Sequence, residues 1–91
     1  MTDTTSTMTM QVTVRYFAAA RAAAGAEIET VGVAPGTTVA GLVETLAARG
    51  PELARVLQRC SFLRDEIAVR DEATELSDGQ TIDVLPPFAG G

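Results

Sequence analysis

The chain has no histidine and no tryptophan, and all seven of its basic residues are arginine, so lysine is missing as well. Without histidine it lacks the commonest general base and the commonest transition-metal ligand. Without lysine it has no Schiff-base amine, no P-loop ammonium and no isopeptide acceptor of its own. Its single cysteine, Cys60, excludes an internal disulfide and a Cys-x-x-Cys site. Hydrophobic residues make up 46% of the chain but aromatics only 4%, so a core must come from Val, Leu and Ile, with little room for a deep ligand pocket. A formal charge of −5 argues against nucleic acid, which calls for a basic stripe. No apolar run approaches the roughly 20 residues of a membrane span, and the opening MTDTTSTMTM has neither the basic nor the apolar region of a signal peptide. The expectation is a cytoplasmic chain with no nucleic-acid or membrane partner, binding no cofactor itself. Carboxylates, hydroxyls, one thiol and the last carboxyl group are what remain for chemistry.

Three segments are expected: a disordered Thr-rich leader over 1–10, with Met8 or Met10 as alternative starts, a single domain over 11–85, and an extended functional tail over 86–91. QVTVRYF at 11–17 alternates Val12, Val14 and Tyr16 against Thr13, Arg15 and Phe17, the period of a half-buried strand. AAARAAAG follows as a helical turn that Gly25 can end in a left-handed cap. Residues 26–33 form a second strand, whose apolar positions change parity between Ile28 and Val31 and so suggest a bulge. After Pro35-Gly36, Thr37 or Thr38 caps a helix with an apolar stripe of Val39, Leu42, Val43, Leu46 and Ala47. Gly41 stands where a capping box would place Glu. Gly50-Pro51 stops that helix and opens a short second one with Leu53, Val56 and Leu57 inward. Strands are expected over 60–64, 67–70 and 80–85, with Asp65-Glu66 and Ser77-Asp78-Gly79 as turns. One amphipathic helix covers one face of one sheet. The order fits an α+β β-grasp (ubiquitin-like) fold, a mixed sheet of four to five strands packed on one main helix. Its last strand enters the centre parallel to the first.

The chain closes on LPPFAGG. Pro86 and Pro87 fix φ and hold the exit in polyproline II geometry, and Phe88 offers an apolar anchor. Gly90 and Gly91, without side chains, suit a narrow channel. A terminal carboxylate is inert until it becomes a mixed anhydride. Once adenylated it is an acyl electrophile that sulfur can attack, leaving a thiocarboxylate able to donate that sulfur. The chain lacks groups for this chemistry, so it has to occur in another protein's active site.

VTVRYFAAARAAAG at 12–25 and DGQTIDVLPPFAGG at 78–91 resemble the two ends of the MoaD/ThiS-type sulfur carriers, with the pattern nearest that of molybdopterin synthase small subunits. The resemblance implies a thiocarboxylate on Gly91, with Gly90 permitting passage, and a partner surface of Phe17, Arg21, Leu85, Pro86, Pro87 and Phe88. It implies three protein partners: an E1-like adenylating enzyme (MoeB-like) that uses ATP, a sulfur donor protein, and the large synthase subunit (MoaE-like). Such a chain is not catalytic alone; it is the sulfur-donating subunit of a synthase acting on a pterin precursor in molybdenum cofactor biosynthesis. Carriers serving thiamin or cysteine biosynthesis, a ubiquitin-like protein modifier and a plain binding module stay open as alternatives. Asp65-Glu66 departs from the Asn-Gly that many members carry in that hairpin.

Alternation turns Phe17 outward if Val12 and Val14 face the core, as a partner contact requires. Arg21 reads equally as a solvated turn residue. Cys60 reads as a small core residue, since no histidine activates it. The crowd of Asp65, Glu66, Asp71, Glu72, Glu75 and Asp78 reads as a solvated acidic edge, or more sharply as a steering surface toward a basic partner.

Overall fold

A computed structural model describes residues 9–87. Its elements run β1 (Met10–Tyr16), α1 (Ala18–Ala24), β2 (Ile28–Val33), α2 (Val39–Ala47), α3 (Pro51–Leu57), β3 (Ser61–Arg64), β4 (Ile67–Ala68) and β5 (Thr81–Leu85). The five strands form one mixed sheet in the order β2-β1-β5-β3-β4. β5 lies at the centre, parallel to β1 and antiparallel to β3, as the β-grasp expectation requires.

Alternation decides which side of the sheet is dry. Val12, Val14 and Tyr16 of β1 and Ile82 and Val84 of β5 all point to the helix side and are at most 1% exposed. Val39, Leu42 and Leu46 of α2 meet them, and Ala20 of α1, Val31 and Val33 of β2, Leu53 and Leu57 of α3, Phe62 of β3 and Leu76 complete the cluster. Each such aliphatic side chain contributes about 1.5–3 kcal/mol by leaving water. Aromatics add little to this core beyond Tyr16 and Phe62, in keeping with the composition.

Local chemistry sets the element ends. Thr38 is the cap residue of α2, its Oγ1 accepting from the Gly41 N–H at 3.1 Å. Thr37 does a different job, donating its hydroxyl to the Ala34 carbonyl at 2.6 Å and closing the preceding turn. A Cβ on Gly41 would come within 3.3 Å of the Thr37 methyl, so the glycine at that position leaves room for the capped turn. The next free N–H groups of α2 are met from outside: Val39 donates to the Thr74 carbonyl and Ala40 to that of Glu72, both at 2.9 Å. The loop before β5 thereby seals the helix start. Gly25 ends α1 in the left-handed region, its N–H donating to the Arg21 carbonyl.

Four details differ from expectation. β1 begins at Met10, which pairs with Val33, so the leader ends earlier than residue 10; residues 1–8 lie outside the described part. The β1–β2 ladder runs in unbroken register from Met10↔Val33 to Arg15↔Ile28, so β2 has no bulge. Ile28 is simply an exposed apolar residue on the outer face, and Glu29 takes the inward position because Tyr16 and Arg49 hold its carboxylate. β4 is only two residues long, its partner strand reaching no further than Leu63↔Ala68. Finally, Asp65, Asp71 and Asp78 are not merely a solvated edge. Their carboxylates accept backbone N–H bonds from Thr81, Ala73 and Gln11, pinning three turns.

Candidate functional site

The central parallel pair, β1 and β5, carries the tail root and the first-strand aromatic to the same end of the sheet. Tyr16 pairs with Val84, so the next residues, Phe17 and Leu85, stand side by side, and the Phe17 N–H donates to the Val84 carbonyl at 3.2 Å. Leu85 is half-buried and pairs with Ser61 of β3. Pro86 and Pro87 follow without regular structure, Pro87 exposed. Phe88, Gly90 and Gly91 lie outside the described residues.

Phe17 is half-buried on the face away from the helices, with the Arg15 guanidinium 5.4 Å from its ring centroid. Such stacking holds both side chains in place and is worth roughly 0.5–1 kcal/mol at an exposed site. Arg21 projects from α1 with its side chain 58% exposed, 3.9 Å from Glu27, a loose surface pairing that contributes little. Phe17 and Arg21 do converge: both line an open hollow of about 490 Å³ together with Arg15, Ala18, Glu27 and Ile28. Ala18, the first residue of α1, sits at φ 51°, in the left-handed region that a non-glycine residue enters at a cost of about 1–2 kcal/mol.

Sequence reasoning missed the middle of this surface. At one level across the sheet, Ile28, Arg15, Asp83, Leu63 and Ala68 form a row through all five strands on the outer face. Asp83 is only 4% exposed although no helix lies over it. Its neighbours hide it, and Arg15 Nε stands 2.8 Å from its Oδ1. A charge in the third position of TIDVL, between the inward Ile82 and Val84, was the available signal. Beside the tail root, a second groove runs between Pro86 and Pro87 and the side chains of Ala19, Arg55, Val56 and Arg59.

The other reactive groups are quiet. Cys60 donates its thiol to the Val56 carbonyl at 3.3 Å, and burial pushes its pKa upward, away from the nucleophilic thiolate. The described residues hold no cluster of His, Cys, Asp or Glu suited to a metal ion, and no helix among them is long and apolar enough to cross a membrane.

Residues 14–91 match the ThiS family. The chain belongs to the ThiS family. It is 34% identical over 83 residues to the molybdopterin synthase sulfur carrier subunit of Chlamydomonas reinhardtii, an alignment that takes in 90% of this chain and all of that one. Among solved structures, the putative molybdopterin converting factor subunit 1 of Pyrococcus furiosus superposes with a TM-score of 0.79 at 25% identity, over 87% of this chain and 99% of that one. A chain from the complex of subunits 1 and 2 of molybdopterin-converting factor of Helicobacter pylori superposes at 0.65 and 24% identity, over 90% of this chain and 100% of the other. That last likeness bears on the fold alone. As a ThiS-family chain with this sheet order, the protein has its central strand leading straight into the Pro-Pro exit.

Proposed function

We propose that this ThiS-family chain is the sulfur carrier of a molybdopterin synthase, its small subunit, donating sulfur from a thiocarboxylate on Gly91 to a pterin precursor. The observation that carries the reading is positional. The family match extends through residue 91, and the strand that delivers the tail is the central one of the sheet, hydrogen-bonded on both sides. A carrier needs this combination, a folded body and a last stretch, Ala89 to Gly91, free of bulky side chains. The relatedness to the sulfur carrier subunit from Chlamydomonas reinhardtii selects the pterin pathway over the thiamin and cysteine alternatives.

The chemistry is divided among proteins. In an E1-like activating enzyme, a carboxylate oxygen of Gly91 attacks the α-phosphorus of ATP and pyrophosphate leaves. A hydrosulfide equivalent from a sulfur donor protein then attacks the acyl carbon, AMP departs, and the thiocarboxylate remains. Within the large synthase subunit the thiocarboxylate sulfur bonds to a carbon of the pterin precursor, displacing an oxygen leaving group there. Water then cleaves the acyl–sulfur bond, leaving the sulfur on the pterin and restoring the Gly91 carboxylate. Gly90 leaves clearance for these approaches. Phe17, Arg21, Leu85, Pro86, Pro87 and Phe88 form the surface that holds the carrier while its last residue is inside the partner. Without histidine or lysine, the chain contributes positioning and the acyl group. The setting is the cytoplasm.

Intact-mass spectrometry after incubation with activating enzyme, ATP and a sulfide source tests the reading. The expected result is exchange of one oxygen for one sulfur, located at Gly91 by fragmentation and lost when Gly91 is deleted. Adducts on lysines of other proteins in place of that exchange would make the chain a modifier instead.

A further inference from the structure

We propose that the groove at the tail root, bounded by Arg55 and Arg59 on one side and Pro86 and Pro87 on the other, seats an acidic segment of the large synthase subunit. This rests on the carrier reading and extends it to a surface on α3 that the reading does not require. Arg55 lies in the last turn of α3 and Arg59 in the turn that follows, four residues on, so the two guanidinium groups flank one strip. Val56 and Ala19 supply its apolar floor, and its volume is about 310 Å³.

Charge selects the occupant. Arg15, Arg21 and Arg49 each face a carboxylate of this chain, whereas Arg55, Arg59, Arg64 and Arg70 make no ion pair among the described residues, and of these four Arg55 and Arg59 share one groove. Two uncompensated cations beside the exit, on a chain of net charge −5, run against the molecule's overall field. Arg55 gains a little from the C-terminal end of its own helix, but Arg59 lies past that end, and both residues are exposed rather than packed into the core. The arrangement suits a carboxylate-bearing strand or loop, which the planar guanidinium groups can grip in pairs.

Reach selects the place. The tail from Pro86 to Gly91 has six residues and spans at most about 20 Å when extended. An active site that encloses the last residue within that length must bring its rim against the tail root. The groove, with Pro86 and Pro87 in its own wall, is part of the surface such a rim covers.

The test uses the full chain and the large subunit from the same organism. Arg55→Glu/Arg59→Glu, and the neutral Arg55→Gln/Arg59→Gln, are measured for association rate and affinity across a salt series. The charge reversal is expected to slow association roughly tenfold or more at low salt, and to flatten its salt dependence, with the neutral pair in between. Thermal midpoints are expected to stay at the wild-type value, and conversion at saturating large subunit to be unchanged. Unaltered rates and salt slope in both variants overturn the proposal. So does unchanged binding accompanied by loss of a self-associated form in sedimentation, which gives the groove to a second copy. Unchanged binding with shifted Phe88 NMR signals gives it to the chain's own tail and equally overturns it. A wild-type chain that takes up sulfur while its variants bind normally sinks this inference alone. A wild type that neither takes up sulfur nor binds the large subunit sinks the carrier reading with it.

Discussion

Arg15 and Asp83, on neighbouring parallel strands, form an ion pair at the centre of the uncovered sheet face, with Arg15 Nε 2.8 Å from a carboxylate that is almost wholly buried. The arginine remains partly in water, its side chain 43% exposed, so the desolvation falls mainly on the aspartate. Removing one partner therefore differs from removing the other. Arg15→Ala leaves a buried carboxylate without its cation and is expected to cost about 2–3 kcal/mol, less than for a fully buried pair because water can enter where the arginine stood. Asp83→Asn keeps the shape, frees an exposable arginine and should cost about 1 kcal/mol. Urea denaturation of both variants checks the asymmetry; equal losses would show that the pair acts as an ordinary surface bridge.

The β3–β4 hairpin carries strain that a single substitution can relieve. Asp65 and Glu66 have φ of 49° and 72°, the two left-handed residues of a tight two-residue turn. Asp65 has compensation: its N–H donates to the Thr81 carbonyl at 2.8 Å and its carboxylate accepts from the Thr81 N–H at 2.9 Å, so it continues the sheet ladder. Glu66 has no such bond among the described residues. Glu66→Gly is expected to stabilise the fold by about 1 kcal/mol, and Asp65→Ala to destabilise it by about 1–2 kcal/mol. Chemical denaturation distinguishes them by sign.

Much of this architecture is legible in the sequence because its signals are local. The alternation of Val12, Val14 and Tyr16, the threonine cap and the Gly50-Pro51 break each depend on near neighbours. Asp83 escapes such reasoning. Alternation assigns it to the outer face, where solvent is the default, and its burial comes from Arg15 and Leu63 on flanking strands far away in the chain. The same holds for Arg55 and Arg59, which meet Pro86 and Pro87 only through the fold. The bulge expected in β2 failed for a related reason. The parity change between Ile28 and Val31 signals a bulge only if Ile28 faces inward, but Ile28 is exposed on the outer face and Glu29 points inward, where the Tyr16 hydroxyl donates to it at 2.6 Å and Arg49 lies beside it.

That Tyr16–Glu29–Arg49 cluster gives stability two pH limits. The Arg49 hydrogen bond, aided by that from Tyr16, lowers the Glu29 pKa despite partial burial. A depressed carboxylate stabilises the fold above its unfolded value near 4.5 and loses that contribution as pH falls through the folded pKa. Tyr16 moves the other way: burial first, then its bond to Glu29, raises its pKa well above 10.0. Its contribution is complete below 10.0 and is lost as pH climbs toward the raised value. The half-buried Cys60 thiol adds loss of the same sign from 9.0 upward, so the measurement belongs in a Cys60→Ala background. There, Tyr16→Phe should flatten the alkaline arm of a denaturation series while leaving an acid arm in place. An alkaline arm of undiminished slope would assign it elsewhere.

The prolines at the exit yield a prediction about entropy. Pro86 is half-buried against the groove beside α3 and Pro87 is exposed, so neither contributes much to the core. Their effect lies in the conformations they deny to the free tail. Replacing each with alanine releases about 0.4–1 kcal/mol of chain entropy that docking must then remove, so Pro86→Ala/Pro87→Ala should bind the large subunit roughly four- to thirtyfold more weakly. The loss should appear as a less favourable binding entropy in calorimetry, with the binding enthalpy and the unfolding midpoint both near wild type. A loss carried by enthalpy would mean that the rings act through their contacts with the partner more than by stiffening the tail. An unchanged affinity would mean that the first two residues of the tail cost nothing to order.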